Sequence, residues 1–161
     1  MKKTKRGDKA ALWITYGLNR PPKPRYEGLK GIYWFVTSLY ARIRDYKMWG
    51  ACINCGDTVK SWRDLQAGHF INAARCGFDL LFDLKNVNGE CGGCNGFDKQ
   101  KLGYEKNLDQ RYGIGTAQAL KGRYFESKKI GKGSKEYSPL QYEKAIRERI
   151  AAVETLGTYE S

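Results

Sequence analysis

Hydrophobic residues recur at steps of three and four between Gly31 and Trp49, with polar and basic residues at the remaining positions. This spacing matches the 3.6-residue period of a helix that buries one face, so it predicts a long amphipathic helix. The aromatic residues in it could stack on bases, but packing in a core or against a partner helix is the better interpretation. The apolar positions are Ile32, Phe35, Val36, Leu39, Ile43 and Tyr46, and the aromatic ones are Tyr33, Trp34, Tyr40 and Trp49.

After residue 50 the pattern favours shorter elements. Residues 58–72 contain β-prone pieces around Trp62 and His69, which predict two short strands joined by an irregular loop. The run Asn-Val-Asn-Gly at 86–89 predicts a turn, and a helix is expected over 95–112. Two strands followed by a helix give a ββα arrangement, so we expect an α+β fold.

Two further helices are predicted towards the C-terminus. Gly113-Ile114-Gly115 ends the preceding helix, and Thr116 is expected to cap the next one, which runs to about Ser127. Ser138 and Pro139 are typical of an N-cap and a first helical position. The last helix should end near Gly157, with an apolar stripe of Tyr142, Ile146, Ile150 and Val153.

Length and charge indicate one compact domain that binds a polyanion. The 161 residues suffice for one core, and the net charge of +12 favours phosphate contacts, although basic proteins can also be basic for solubility alone. The basic Met1–Lys9 and the stiff Pro21–Arg25 form an arm that either follows a phosphate backbone or is a solvated terminus. We predict three parts: an arm and linker over 1–28, a helix plus a compact core with the paired cysteines over 29–113, and a helical extension over 114–161.

Four of the five cysteines form two Cys-x-x-Cys knuckles, and two such knuckles complete the tetrahedral shell of a structural Zn²⁺. A redox motif is disfavoured because there are two pairs, and a site of three cysteines plus His69 because four thiolates already suffice. No apolar stretch of signal-peptide or membrane-span length is present, so we expect a reducing cytoplasm and no membrane contact. The predicted zinc ligands are Cys52, Cys55, Cys91 and Cys94, with Cys76 left over.

His69 is the sole histidine and lies between the two knuckles. An isolated histidine is most often structural, but this one has Asn86 and Asn95 nearby in the zinc-framed segment. Hydrolysis of a phosphodiester requires a base to activate water and a divalent cation to neutralise charge. A neutral imidazole suits the first task, and Asn86 could fix its tautomer.

Five short motifs between residues 52 and 113 together resemble the NinG (Rap) family of phage recombination endonucleases. The motifs are Cys52-x-x-Cys55-Gly56, Ala67-Gly68-His69-Phe70, Phe82-Asp83-x-x-Asn86-Val87, Cys91-x-x-Cys94-Asn95 and Tyr104-x-x-x-Leu108-x-x-x-x-Gly113. This family lies within the HNH superfamily, which also holds the phage junction resolvase endonuclease VII. The resemblance implies a ββα-metal site that cuts branched DNA such as Holliday junctions and D-loops. It implies His69 as general base, Asn86 as the orienting asparagine and Asn95 as a ligand of Mg²⁺ or Mn²⁺.

The chain departs from the usual HNH pattern in two places. Most HNH sites carry an aspartate ligand directly before the base, whereas this chain, like the NinG family, has Gly68. The carboxylate must come from elsewhere, with Asp83 ranked first and Asp64 and Asp98 as the other candidates. The family's Gly-Asn pair after the second knuckle is also missing, which leaves the start of the following helix open.

The preferred function is a metal-dependent endonuclease of branched DNA, phage-encoded and acting in the cytoplasm of the bacterial host. The alternatives are a zinc module that binds nucleic acid without cutting it, and an HNH nickase of ordinary duplex. Resolving a junction needs two incisions, and one apolar helix stripe should be left for a partner chain, so we expect a homodimer. The candidate DNA contacts are Lys2, Lys3, Lys5, Arg6, Lys99 and Lys101.

Overall fold

The computed structural model of the protein describes residues 12–96, 103–129 and 135–157. The chain divides into two compact units, one reaching to Val36 and resuming at Tyr137, the other spanning Thr37–Glu136. Packing alone defines these units, so the three-part functional division stays a prediction. The Met1–Lys9 arm lies outside the described residues, as do Asp98, Lys99, Lys101 and most of the loop before Lys135.

Helix α1 spans Gly28–Trp49, which confirms the predicted amphipathic helix with an earlier start. Gly31 is required near its beginning because a Cβ there would overlap the Tyr26 carbonyl oxygen. Among the aromatics, Tyr33 and Trp34 are buried, which agrees with packing rather than base stacking. The stripe residues Ile32, Val36, Leu39 and Ile43 are also buried within the chain.

An antiparallel hairpin pairs β1, Leu65–His69, with β2, Val87–Cys91, in a register that runs from Leu65↔Cys91 to His69↔Val87. The strand at His69 is therefore confirmed, but two expectations are corrected. Residues 87–89 belong to β2 rather than to a turn. The piece around Trp62 is a 3₁₀ turn, because Ser61 and Asp64 close a capping box around it.

Short helices flank β2 on both sides, α2 over Phe78–Leu81 and α3 over Gly92–Gly96. The next helix, α4, spans Tyr104–Tyr112 and ends at Gly113, whose φ of +102° suits glycine. It ends where the sequence predicts. Residues 97–102, between α3 and α4, lie outside the described residues.

Helix α5 spans Thr116–Lys129 and α6 spans Pro139–Thr155. The predicted cap of α6 is confirmed, since the Ser138 hydroxyl accepts from the Gln141 amide and the Gln141 side chain accepts from the Ser138 amide. The start of α5 differs from the expectation. Its Ala117 amide donates to Asp109 Oδ1 at 2.8 Å, whereas the Thr116 hydroxyl donates to the Gly113 carbonyl.

The core of the Thr37–Glu136 unit lies where α4 and α5 meet the first knuckle and α2. Helices with one small sheet make this an α+β fold, as predicted. No helix in the described ranges is long and apolar enough to cross a bilayer. The buried core residues are Ile53, Leu80, Tyr104, Leu108, Ala117 and Leu120.

Candidate metal centre and the histidine hairpin

The four knuckle cysteines converge on one point. Their Sγ atoms all lie within 4.8 Å of one another, and Cys55 Sγ is 3.8 Å from Cys91 Sγ. A tetrahedral Zn²⁺ with Zn–S bonds of about 2.3 Å holds its sulfurs about 3.8 Å apart, so this cluster fits zinc. The zinc ligand set predicted from the sequence is thus assembled, and Cys76 is not part of it.

The main chain shapes the first knuckle for this role. The Gly56 amide donates to the Cys52 carbonyl at 3.0 Å, with Gly56 at a φ of +79°. The Cys91 amide donates to Cys52 Sγ at 3.2 Å, and this hydrogen bond links the two knuckles independently of any metal.

Helix α4 holds the first knuckle from outside. Asn107 Nδ2 donates to the Ile53 carbonyl at 2.7 Å, and Arg111 Nη2 donates to the Ala51 carbonyl at 2.9 Å. Gly103 precedes the helix because a Cβ there would overlap the Asn54 carbonyl oxygen. The helix therefore positions the cysteine-bearing loop through its polar side chains.

The thiols differ in how readily they ionise. Burial raises the pKa of Cys55 well above its usual range and raises that of Cys94 to about 11. Burial also opposes ionisation of Cys91, but hydrogen bonds from the Cys94 amide and the neighbouring thiols lower the Cys91 pKa. Without a cation, Cys55 and Cys94 stay protonated at neutral pH, and zinc would bind all four as thiolates.

His69 is the last residue of β1 and is only 6% exposed. Its Nε2 lies 3.0 Å from the Leu81 carbonyl oxygen. Because a carbonyl can only accept, this hydrogen bond requires the proton on Nε2, and a neutral ring then keeps its lone pair on Nδ1. The last main-chain carbonyl of α2 thus sets the tautomer.

Asn86 is fully buried directly before β2. The hydrogen bonds of its side-chain amide go to the main chain of Ile71 and Leu80, not to the imidazole of His69. Its Oδ1 accepts from the Ile71 amide at 2.7 Å, and its Nδ2 donates to the Leu80 carbonyl at 2.8 Å. Leu80 precedes the residue whose carbonyl meets His69. Asn86 therefore supports the orientation of His69 indirectly, by holding that segment in place.

Tyr104 holds the strand next to the histidine. Its hydroxyl donates to the Gly68 carbonyl at 3.2 Å and accepts from Asn88 Nδ2 at 3.2 Å. Burial, reinforced by the charge of Glu90, raises the pKa of Tyr104 well above its usual range, so the hydroxyl stays a donor. The tyrosine of the Tyr104 motif thus links β1 to β2 through its hydroxyl, a role that the sequence pattern alone does not predict.

A buried ion pair joins α1 to β2 and escaped the sequence analysis. Arg44 Nε donates to Asp45 Oδ1 at 2.6 Å, and Arg44 also donates to the Val87 carbonyl and to Asn88 Oδ1. Asp45 Oδ2 accepts from the Gly89 amide at 2.6 Å. Adjacent Arg and Asp on a helix look like solvated charges, so nothing in the periodicity marks them as buried.

Asn95 lies on α3, exposed to solvent, with its Nδ2 donating to Gln66 Oε1 at 2.9 Å. Gln66 and Gly68 lie on the same face of β1, so the Asn95 amide is held beside the residue that precedes the histidine. His69 thus ends β1, Asn86 lies directly before β2, and Asn95 lies on the helix that follows β2.

Two of the three carboxylates considered from the sequence have other partners. Asp83 Oδ1 accepts from the Lys85 amide at 2.7 Å, and its Oδ2 accepts from Arg123 Nη1 at 2.6 Å. Asp64 Oδ2 accepts from the Lys60 and Ser61 amides in the capping box.

Glu90 is a carboxylate that the sequence analysis missed. It is fully buried on β2, opposite Gln66. The signal for it is alternation along the strand, since Asn88 and Glu90 share one face; the interpretation of 86–89 as a turn concealed that signal.

Comparison with known proteins agrees with these motifs. A family model described as Bacteriophage Lambda NinG protein matches residues 30–151. Searches of curated proteins and of solved structures found no match. The family model covers most of the chain, including both knuckles, the hairpin and the part of α6 up to residue 151. The chain therefore belongs to the NinG family.

Proposed function

We propose that this chain is a metal-dependent, structure-selective DNA endonuclease of the HNH superfamily that hydrolyses branched recombination intermediates such as Holliday junctions and D-loops. One observation carries the proposal: His69 ends β1, and Asn95 reaches from α3 to the adjacent Gly68. Metal-assisted phosphodiester hydrolysis requires a base and an oxygen ligand, and here they would be His69 and a residue that lies beside its neighbour Gly68. Membership in a phage family supports a role in phage recombination.

In this proposal His69 is the general base. The Leu81 carbonyl holds Nε2–H, and Nδ1 takes the proton from the attacking water. Asn86 holds the Leu80–Leu81 segment in register. A Mg²⁺ or Mn²⁺ ligated by Asn95 would neutralise charge on the scissile phosphate and the leaving oxygen. The four-cysteine site is structural, because its thiolates complete a closed tetrahedral shell.

A zinc module that binds nucleic acid without cutting it is the second candidate. The 6% exposure of His69 and the main-chain bond to its ring favour this alternative, since a structural histidine has the same surroundings. The net charge of +12 fits both functions equally. Only a measurement of cleavage separates them.

We propose DNA as the partner and a homodimer as the active form. Resolving a four-way junction needs two incisions in related geometry, which a two-fold dimer with two sites provides most simply. The stripes predicted on α1 and α6 do not supply the dimer surface, because Ile32, Val36, Ile146 and Val153 are buried within the chain. The dimer therefore rests on the geometry of the reaction alone.

The test compares a four-way junction, a linear duplex of equal length and single-stranded DNA, with Mg²⁺, Mn²⁺ or EDTA. We expect metal-dependent cutting near the branch point, and a loss of roughly 10²-fold or more in His69→Ala with zinc content and DNA affinity retained. Glu105→Gln, an exposed change on α4, is the control that should cut at the wild-type rate.

Each alternative has its own outcome. Wild-type rates in His69→Ala would remove the general base, and no cutting by any form would favour the non-catalytic module. Equal affinity for junction and duplex, with sedimentation showing a monomer at micromolar concentration, would refute junction selectivity and favour a duplex nickase.

A further inference from the structure

The space beside Gly68 is filled by the side chain of a residue on the neighbouring strand. A Cβ placed on Gly68 would overlap the Glu90 Oε2 atom and would lie 3.0 Å from Asn95 Oδ1. Gly68 and Glu90 are diagonal neighbours on one face of the hairpin, since Gln66 pairs with Glu90 and Gly68 pairs with Asn88. A carboxylate oxygen and an amide oxygen therefore meet where the side chain of residue 68 would be.

Gly68 is required for space and not for backbone conformation. Its φ is not in the left-handed region, which among the described residues is occupied by other glycines. With no side chain at position 68, the carboxylate of the fully buried Glu90 lies against β1 at Gly68, the residue before His69. A side chain at position 68 would displace the Glu90 carboxylate from this place.

The orientation of Asn95 makes the pair of oxygens suitable for a cation. Because Nδ2 donates to Gln66 Oε1 at 2.9 Å, Oδ1 is the atom turned towards the Glu90 carboxylate. Carboxylate and amide oxygens are the ligands that hard divalent ions prefer. Asn95 itself is exposed whereas Glu90 is fully buried, so the amide is the solvent-facing member of the pair.

We propose that Glu90 is the carboxylate ligand of the divalent cation, together with Asn95, and that it fills the place of the aspartate that precedes the base in most HNH sites. This inference rests on the proposed endonuclease. It assigns the role of carboxylate ligand to Glu90 on β2, the strand paired with β1, instead of to Asp83. The Asp83 oxygens accept from the Lys85 amide and from Arg123.

The test measures Mn²⁺ binding to the zinc-loaded full-length chain without DNA, by the loss of the free Mn²⁺ signal in electron paramagnetic resonance. Zinc loading keeps the cysteines occupied. We expect one Mn²⁺ site in the wild type and an affinity lower by roughly 10-fold or more in Glu90→Gln, since even outer-sphere partners of a metal contribute 10–100-fold. Glu105→Gln, the same change at an exposed site, should bind as the wild type does.

A relocation of the carboxylate separates ligation from folding. Glu90→Ala alone should bind Mn²⁺ weakly, whereas Gly68→Asp combined with Glu90→Ala places a carboxylate on β1 in the vacated space and should recover most of the affinity. Zinc content and thermal midpoint are measured for every variant. If Glu90→Gln does not retain zinc, the double variant provides the deciding measurement.

Unchanged Mn²⁺ affinity in zinc-loaded Glu90→Gln would overturn the assignment, and so would failure of the double variant to bind better than Glu90→Ala. Loss of binding in Asp83→Asn with retention in Glu90→Gln would return the role to Asp83. If the wild type binds Mn²⁺ through Glu90 but cuts no DNA, the metal site stands and the proposed endonuclease fails.

Discussion

Asp45 shows how much a single buried charge contributes to this fold. Its carboxylate is fully buried and accepts from Arg44 Nε and from the Gly89 amide, both at 2.6 Å. Asp45→Asn leaves the Arg44 guanidinium buried without its counter-charge. Because breaking one partner of a buried ion pair costs about 3–5 kcal/mol, we expect that decrease in the free energy of unfolding, measured by urea denaturation of the zinc-loaded protein.

The matched control is Glu105→Gln. The Glu105–Lys121 pair is exposed, with side chains 48% and 36% accessible, so its loss should cost less than about 1 kcal/mol. Equal denaturation midpoints for the two variants would contradict the structural role of Asp45.

At the level of individual side chains, the sequence predicts chemistry better than it predicts contacts. The cysteines were identified because thiolate ligands have a recognisable spacing, and their convergence confirms it. The partner of His69 could not be predicted, because the Leu81 main-chain carbonyl carries no side-chain signature. Glu90 was missed because the sequence of residues 86–89 predicts a turn, and because its carboxylate occupies the space that a side chain at position 68 would fill.

The two knuckles belong to different elements, and a metal would join them. Cys52 and Cys55 lie in the loop after α1, whereas Cys91 ends β2 and Cys94 lies on α3. We expect one zinc per chain by elemental analysis. Cys91→Ser, or chelation, should remove the metal and unfold the hairpin region, because a small domain gains folding free energy from ligation.

Cys76→Ser is the matched control for the knuckle variants. Cys76 is partly buried against the core and lies outside the metal cluster, so its zinc content should equal that of the wild type and its stability should change little. Folded wild-type protein without zinc, or circular dichroism of Cys91→Ser equal to that of the wild type, would contradict the assignment.

Among the elements, long helices were predictable and the hairpin only in part. α1 and α6 have a sustained period and, for α6, a capping box, so their existence follows from local sequence. β2 contains Asn-Gly, which usually marks a turn. Glycine at position 89 instead leaves room for side chains packed against β2, since a Cβ would lie 2.8 Å from Leu65 Cδ1 and 3.3 Å from Asp45 Cβ.

For the chain as a whole, charge and composition predict a polyanion as the class of partner, but they do not place the surface that would bind it. The net charge of +12 is a sum over residues, and it says nothing about where phosphates bind. All six lysines and arginines proposed as DNA contacts lie outside the described residues. The contribution of the arm is therefore a question for solution measurements.

Binding to duplex DNA should weaken steeply with salt, since each phosphate contact contributes about −0.9 to the slope of log K against log salt. Deleting Met1–Lys9 removes Lys2, Lys3, Lys5, Lys9 and Arg6 and should flatten that slope, measured by fluorescence anisotropy between low and physiological salt, with zinc content unchanged. A scrambled arm of the same composition is the matched control, and it should keep the wild-type slope because counterion release depends on charge rather than on order. A truncated protein whose slope equals that of the full chain would show that the arm makes no phosphate contacts, and the salt dependence would then arise from residues beyond position 9.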